Sequence, residues 1–117
     1  MESFPEDHEL VGFFESEPEV TDRDVPWFYN RLTFRTTRGS HSVVCEIEPG
    51  YRQIDLTWRN AGKEMASFAL REIRALRVMG SPGEEYMTVV FRGDELMDFV
   101  LYLKPDIRIE WGNMEAQ

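Results

Sequence analysis

The sequence predicts a mainly β fold: a single domain built as an antiparallel meander of about eight strands, closed into a barrel or strongly curved, with a short N-terminal helix. Three observations predict it. From Val25 onward, short stretches rich in β-branched and aromatic residues alternate apolar and polar positions with a period of two. Turn chemistry containing glycine separates these stretches at fairly regular intervals. The segment before Val25 breaks the pattern and spaces its apolar residues as a helix does. The expected organisation is therefore an acidic helical segment over 1–24, an antiparallel β-domain over 25–112 and a tail over 113–117. A chain of 117 residues supports one core, burying roughly two thirds of the surface its unfolded form exposes. No repeat, low-complexity tract or linker calls for a second domain.

In chain order, Ser3 and Glu6 in "SFPE" have the spacing of a capping box and place a helix start there. Leu10, Val11, Phe13 and Phe14 form its apolar stripe, with Asp7, Glu9 and Glu15 on the polar face. Pro18 disfavours helical geometry at Glu17, so the helix should stop by about Ser16. The turns are expected at "RGS" (38–40), "PGY" (49–51), "NAGK" (60–63), "GSPG" (80–83) and "RGDE" (92–95). Between them, one face is apolar at Val43, Cys45 and Ile47; at Ile54, Leu56 and Trp58; and at Ala66, Phe68 and Leu70. The same alternation runs through Met97, Phe99, Leu101 and Leu103, and through Ile107, Ile109 and Trp111. Short turns make consecutive strands antiparallel, because a parallel crossover needs a dozen or more residues. "LREIRALRV" mixes helical and strand spacings and reads as a bend between strands. Pro105 cannot donate to a ladder and should mark a corner or an edge.

Charge is distributed unevenly. The first twenty-four residues hold nine Asp/Glu and one Arg, a net charge of −8, whereas the other ninety-three hold thirteen Asp/Glu against twelve Lys/Arg. Such a chain repels phosphate backbones and anionic membranes, so direct binding to nucleic acid or lipid is disfavoured and a basic protein partner is favoured. The cations are eleven Arg and two Lys, and no mechanism follows from that ratio. No apolar run reaches the eighteen or so residues that a membrane span needs, and the acidic N-terminus is unlike a secretory signal, so a cytoplasmic location is expected. Cys45 is alone, cannot form an intramolecular disulfide and reads as a small buried hydrophobe.

Catalytic and metal chemistry find little support. His8 and His41 read as exposed and non-catalytic, and a Cys45–His41 pair on one strand would be about 13 Å apart, too far for activation. Asp22 and Asp24 in "TDRD" have the first spacings of a calcium loop, but the glycine and the final glutamate of that loop are missing. No carboxylate pair is singled out by its spacing. Neither a metal nor a cofactor is expected, and the chain is not expected to be an enzyme.

The acidic segment itself has two readings. Carboxylates near a helix N-terminus and on the surface favour the macrodipole and solubility. Alternatively, Glu15, Glu17, Glu19, Asp22 and Asp24 rim an interface whose aromatic anchors come from "DVPWFYN". Strand alternation would send Phe28 inward with Leu32 and Phe34, leaving Trp27 and Tyr29 for the partner.

"HELVGFFESEPEVTD" leading into "RLTFRTTRG", the alternating middle strands and the closing "VLYLKPDIRIEWG" together resemble the small immunity proteins of bacterial polymorphic toxin systems. The resemblance covers most of the chain and includes no diagnostic motif, so no site residue is carried over by it. It implies a non-enzymatic protein that neutralises a cognate toxin, often a basic nuclease, through acidic and aromatic surface. Two other functions compete: a β-barrel holding a small apolar ligand among its Phe and Met side chains, and an assembly subunit pairing through a strand edge, such as the one near Pro105.

Overall fold

A computed structural model of the chain describes residues 4–81, 83–93 and 95–111. Its helix α1 spans Asp7–Phe14, with Glu6 as its N-cap in extended geometry. Ser3 lies outside the described residues. The reciprocal contact falls three residues later than the Ser3–Glu6 spacing suggests, as Glu9 Oε1 accepts the Glu6 N–H at 2.8 Å. Glu15 ends the helix in the left-handed region, φ 57°. The apolar stripe points inward, with Leu10, Phe13 and Phe14 buried.

Among the described residues, nine strands form two antiparallel sheets. The first contains β1 (Glu19–Val20), β2 (Leu32–Arg38), β3 (His41–Glu48), β4 (Gln53–Asn60) and β5 (Lys63–Leu70), neighbours in that order. The second contains β6 (Ile73–Met79), β7 (Tyr86–Phe91), β8 (Phe99–Tyr102) and β9 (Arg108–Glu110). Within each sheet every strand pairs antiparallel with the next in sequence, as short connections favour. Most of the predicted inner faces are core: Val43, Cys45, Ile47, Ile54, Leu56, Leu70, Phe99, Leu101, Leu103 and Ile107 are buried, and Trp58, Ala66, Phe68 and Ile109 are half-buried. Met97 and Trp111 are corrections, since both are exposed: Met97 precedes β8 and Trp111 follows β9, outside the ladders that would turn them inward.

The barrel is a correction, because the chain leaves the first sheet after Leu70 and starts a second one at Ile73, and among the described residues no hydrogen-bonded ladder joins the two. The cause is local. Glu72 takes φ 57°, which breaks the extended run, and Arg52 holds the displaced chain by donating from Nη1 to the carbonyls of Ile73 and Arg74, each at 3.2 Å. "LREIRALRV" thus contains a bend at Arg71–Glu72 followed by strand β6. Its helix-like spacing has a physical source, since the register skips Arg74 between Ile73↔Phe91 and Ala75↔Val90. A bulge of one extra residue brings Ile73 and Leu76 into the same core.

A second correction concerns "WFY". Trp27–Tyr29 is a 3-10 turn, not a strand. Pro26 has no N–H to give a ladder, and its carbonyl instead accepts from Tyr29 N at 3.0 Å while that of Trp27 accepts from Asn30 N at 3.1 Å.

Helix α1 packs against β2 of one sheet and β6 of the other, which lets its three buried side chains fill the mouth between them. The Phe14 ring stacks on Phe34 with centroids 4.7 Å apart, and the Phe14 carbonyl accepts from the buried Thr36 hydroxyl at 2.8 Å. At the edge of the core, the exposed Trp111 ring lies against Phe68, Phe91 and Phe99 with centroids 6.0, 5.9 and 5.3 Å away.

Candidate functional site

The seven residues that the sequence proposes for partner binding do not form one uniform patch. Glu15 sits just past the helix, where its carboxylate meets Arg38 at 3.1 Å and Lys104 at 2.6 Å. The Lys104 contact, reinforced by Arg38, holds that carboxyl below the usual range despite some desolvation. Glu19 lies on β1, facing Arg35 at 3.2 Å, and the hydrogen bond from Arg35 lowers its pKa as well. Both charges are engaged within the molecule. Glu17, Asp22 and Asp24 are exposed, and Asp22 Oδ1 accepts the Asp24 N–H at 3.0 Å, a turn typical of aspartate.

The loop carrying Asp22 and Asp24 is held by a residue that the sequence does not single out. Asn30 is 5% exposed, and its Oδ1 accepts from the N–H groups of Thr21, Asp22 and Arg31 at 3.0, 3.2 and 3.1 Å. Its Nδ2 donates to the carbonyls of Asp22 and Val25. One amide side chain therefore replaces the ladder partners that this irregular backbone lacks.

The aromatic anchors are divided. Trp27 is half-buried and packs against the core. Phe28, expected inside, is only half-buried. Tyr29 is 68% exposed. A cleft of about 560 Å³ opens between Val20, Arg23, Val25 and Trp27. A smaller one of about 230 Å³ lies where Asp22, Tyr29, Arg31 and Glu48 come together. Arg31 is also absent from the sequence reading. Its guanidinium spans Glu46 at 2.8 Å, Glu48 at 2.9 Å and Asp55 at 3.6 Å, with the Glu46 hydrogen bond raising its already high pKa. The only sequence sign of this arrangement is strand alternation, which puts Glu46, Glu48 and Asp55 on the outer faces of β3 and β4.

The other candidates resolve as follows. Cys45 is fully buried, and burial pushes its thiol pKa far upward. His41 is not simply exposed: it is half-buried, and its Nδ1 accepts the Trp58 indole N–H at 3.1 Å. Among the described residues no group of three or more His, Cys, Asp or Glu could hold a metal ion, and no helix is long and apolar enough to cross a membrane. The described residues form two separate sheets and no closed barrel, so the lumen expected for an apolar ligand loses its scaffold. Pro105 is exposed in the loop that enters the edge strand β9.

No protein-family model matches the chain, and no curated protein matches it in sequence. A solved structure does share its fold: a chain of the contact-dependent growth inhibition toxin–immunity protein complex from Klebsiella pneumoniae 342. The TM-score is 0.80 over 95% of this chain and 96% of that one, at 22% identity. It comes from the type of complex to which the sequence resemblance points.

Proposed function

We propose that the chain is a bacterial immunity protein: a non-enzymatic, cytoplasmic antidote that binds a cognate toxin and blocks it. The observation that carries this reading is the likeness of fold, over nearly the whole of both chains, to a member of a toxin–immunity protein complex. The finer features rest on charge. Nearly all of the excess negative charge lies in the first twenty-four residues; Glu17, Asp22 and Asp24 are exposed, and Asp22 shares a cleft with Tyr29. The partner is therefore a basic domain, of the kind that a phosphate-binding nuclease presents. Carboxylates compete for such a site and accelerate encounter with it. Glu15 and Glu19 contribute to the field as charges already held by Arg38, Lys104 and Arg35.

A tagged chain recovered from its native cells, washed at low and then moderate salt, tests the reading. One basic partner is expected in equal amount, retained when salt shortens the Debye length to about 8 Å, and its toxicity should disappear on co-expression with this chain. Replacing Glu17, Asp22 and Asp24 by Lys should slow association about tenfold or more at low salt, with a smaller effect at high salt. Recovery of nothing, or of a partner whose toxicity the chain does not relieve, overturns the proposal.

A further inference from the structure

Two turns far apart in sequence meet at one end of the first sheet. The pairing Leu32↔Ile47 sets the start of β2 beside the end of β3, so the turn Trp27–Tyr29 that precedes β2 abuts the turn Pro49–Tyr51 that follows β3. Gly50 makes the approach possible: a Cβ there would stand 3.2 Å from the Phe28 carbonyl oxygen and 3.4 Å from Tyr29 Cδ1. On these adjoining turns, Tyr29 and Tyr51, 68% and 74% exposed, are the two most exposed of the large hydrophobic side chains described. The other two tyrosines behave differently. Tyr86 and Tyr102 are half-buried and lean on each other with centroids 5.3 Å apart.

The small cleft on the Tyr29 side of this end carries the carboxylates of Asp22 and Glu48. Arg31, the one cation lining it among the described residues, is turned toward Glu46, Glu48 and Asp55. An aromatic face next to carboxylates in excess suits a guanidinium or ammonium group, which gains from the ring and from a charge-assisted hydrogen bond.

We infer that Tyr29 and Tyr51, with Asp22 and Glu48, form a composite face on which the toxin docks a loop bearing Arg or Lys. The inference rests on the neutralisation reading and names the contact within it. Tyrosine is a common hot-spot residue, because it gives a large contact area with little side-chain freedom to lose. Tyr51 and Glu48 extend the interface beyond the acidic N-terminal segment to a second part of the chain.

The test uses the basic toxin recovered with the unaltered chain, purified, and the full chain. Nitration of tyrosines is followed by mass in the free chain and in the complex. Tyr29 and Tyr51 should be protected about tenfold or more in the complex, while Tyr86 and Tyr102 change little. The double variant Tyr29→Ala, Tyr51→Ala should melt like the unaltered chain and dissociate about a hundredfold faster. If the toxin is bound but Tyr29 and Tyr51 are nitrated as in the free chain, or the double variant holds it within about twofold of normal, the inference is overturned and the neutralisation reading stands. If no basic toxin is captured at all, the neutralisation reading is overturned, and the docking face with it.

Discussion

Ala61 and Gly62 form the two-residue loop between β4 and β5 with φ of 53° and 81°, and both values are positive, as in the primed turns that match strand twist. An alanine Cβ meets steric resistance in this region, costing about 1–2 kcal/mol relative to right-handed geometry. Ala61→Gly or Ala61→Asn should therefore stabilise the protein by about 0.5–1 kcal/mol. Each kcal/mol is read as a rise of about 4–8 °C in melting temperature, and a melting temperature that stays level or falls would show that the loop tolerates alanine without strain. The turn is legible in "NAGK" because its glycine announces it, and Cys45 is legible because it falls in phase with Val43 and Ile47. Asn30 is not. Its role depends on Thr21, Asp22 and Val25 folding back around it, and no period marks a side chain that satisfies irregular backbone. Tyr51 escapes a sequence reading for a related reason, as its place beside Tyr29 depends on Gly50 meeting a turn more than twenty residues earlier.

At the scale of elements, glycine positions marked hairpins correctly where the backbone needs them. Gly80, at the end of β6, takes φ 107°, and a Cβ there would lie 2.6 Å from the carbonyl oxygen of Glu84. Gly80→Ala combines an unfavourable backbone region with a contact against backbone that cannot swing aside. It should destabilise the protein by about 1–3 kcal/mol, measured as the shift in denaturant midpoint at constant slope. A shift of under about 0.3 kcal/mol, within the scatter of neutral surface changes, would mean that the β6–β7 connection rearranges freely. Strands such as β3 are legible because they have one wetter and one dry face, whereas β7, buried at every position from Met87 to Phe91, shows no alternation. What escaped is what alternation does not encode. Two residues of β1 are too few for a period to register, the bulge at Arg74 imitates helical spacing, and Pro26 turns three aromatic residues into a 3-10 turn. The division into two sheets depends on a positive φ at Glu72, a position where glutamate gives no warning, and so the meander is legible while its split into two sheets is not.

For the molecule as a whole, one of the seven residues that the sequence assigns to the partner surface has a second role at the joint between sheets. Glu15 reaches Arg38 on β2 of the first sheet and Lys104 in the loop between β8 and β9 of the second. With α1 packed across the same gap, the carboxylate ties three parts of the fold together. The Lys104 contact lowers its pKa in the folded protein. A depressed carboxylate pKa means that the unfolded chain binds the proton more readily, so the stabilisation is complete above the ordinary glutamate value and is lost as pH falls through the folded one. Melting temperature should consequently fall between about pH 5 and pH 3, and Glu15→Gln should reduce that fall because it removes one of the groups responsible. It should not abolish it, since Glu19 is held low by Arg35 in the same way. The comparison to make is the difference in melting temperature between pH 7 and pH 4 for the two proteins. An equal difference in both would mean that the Glu15 contacts form without coupling to folding, leaving its carboxylate free to serve the partner as Glu17, Asp22 and Asp24 are proposed to do. A smaller difference in the variant would instead place Glu15 in the scaffold that positions them.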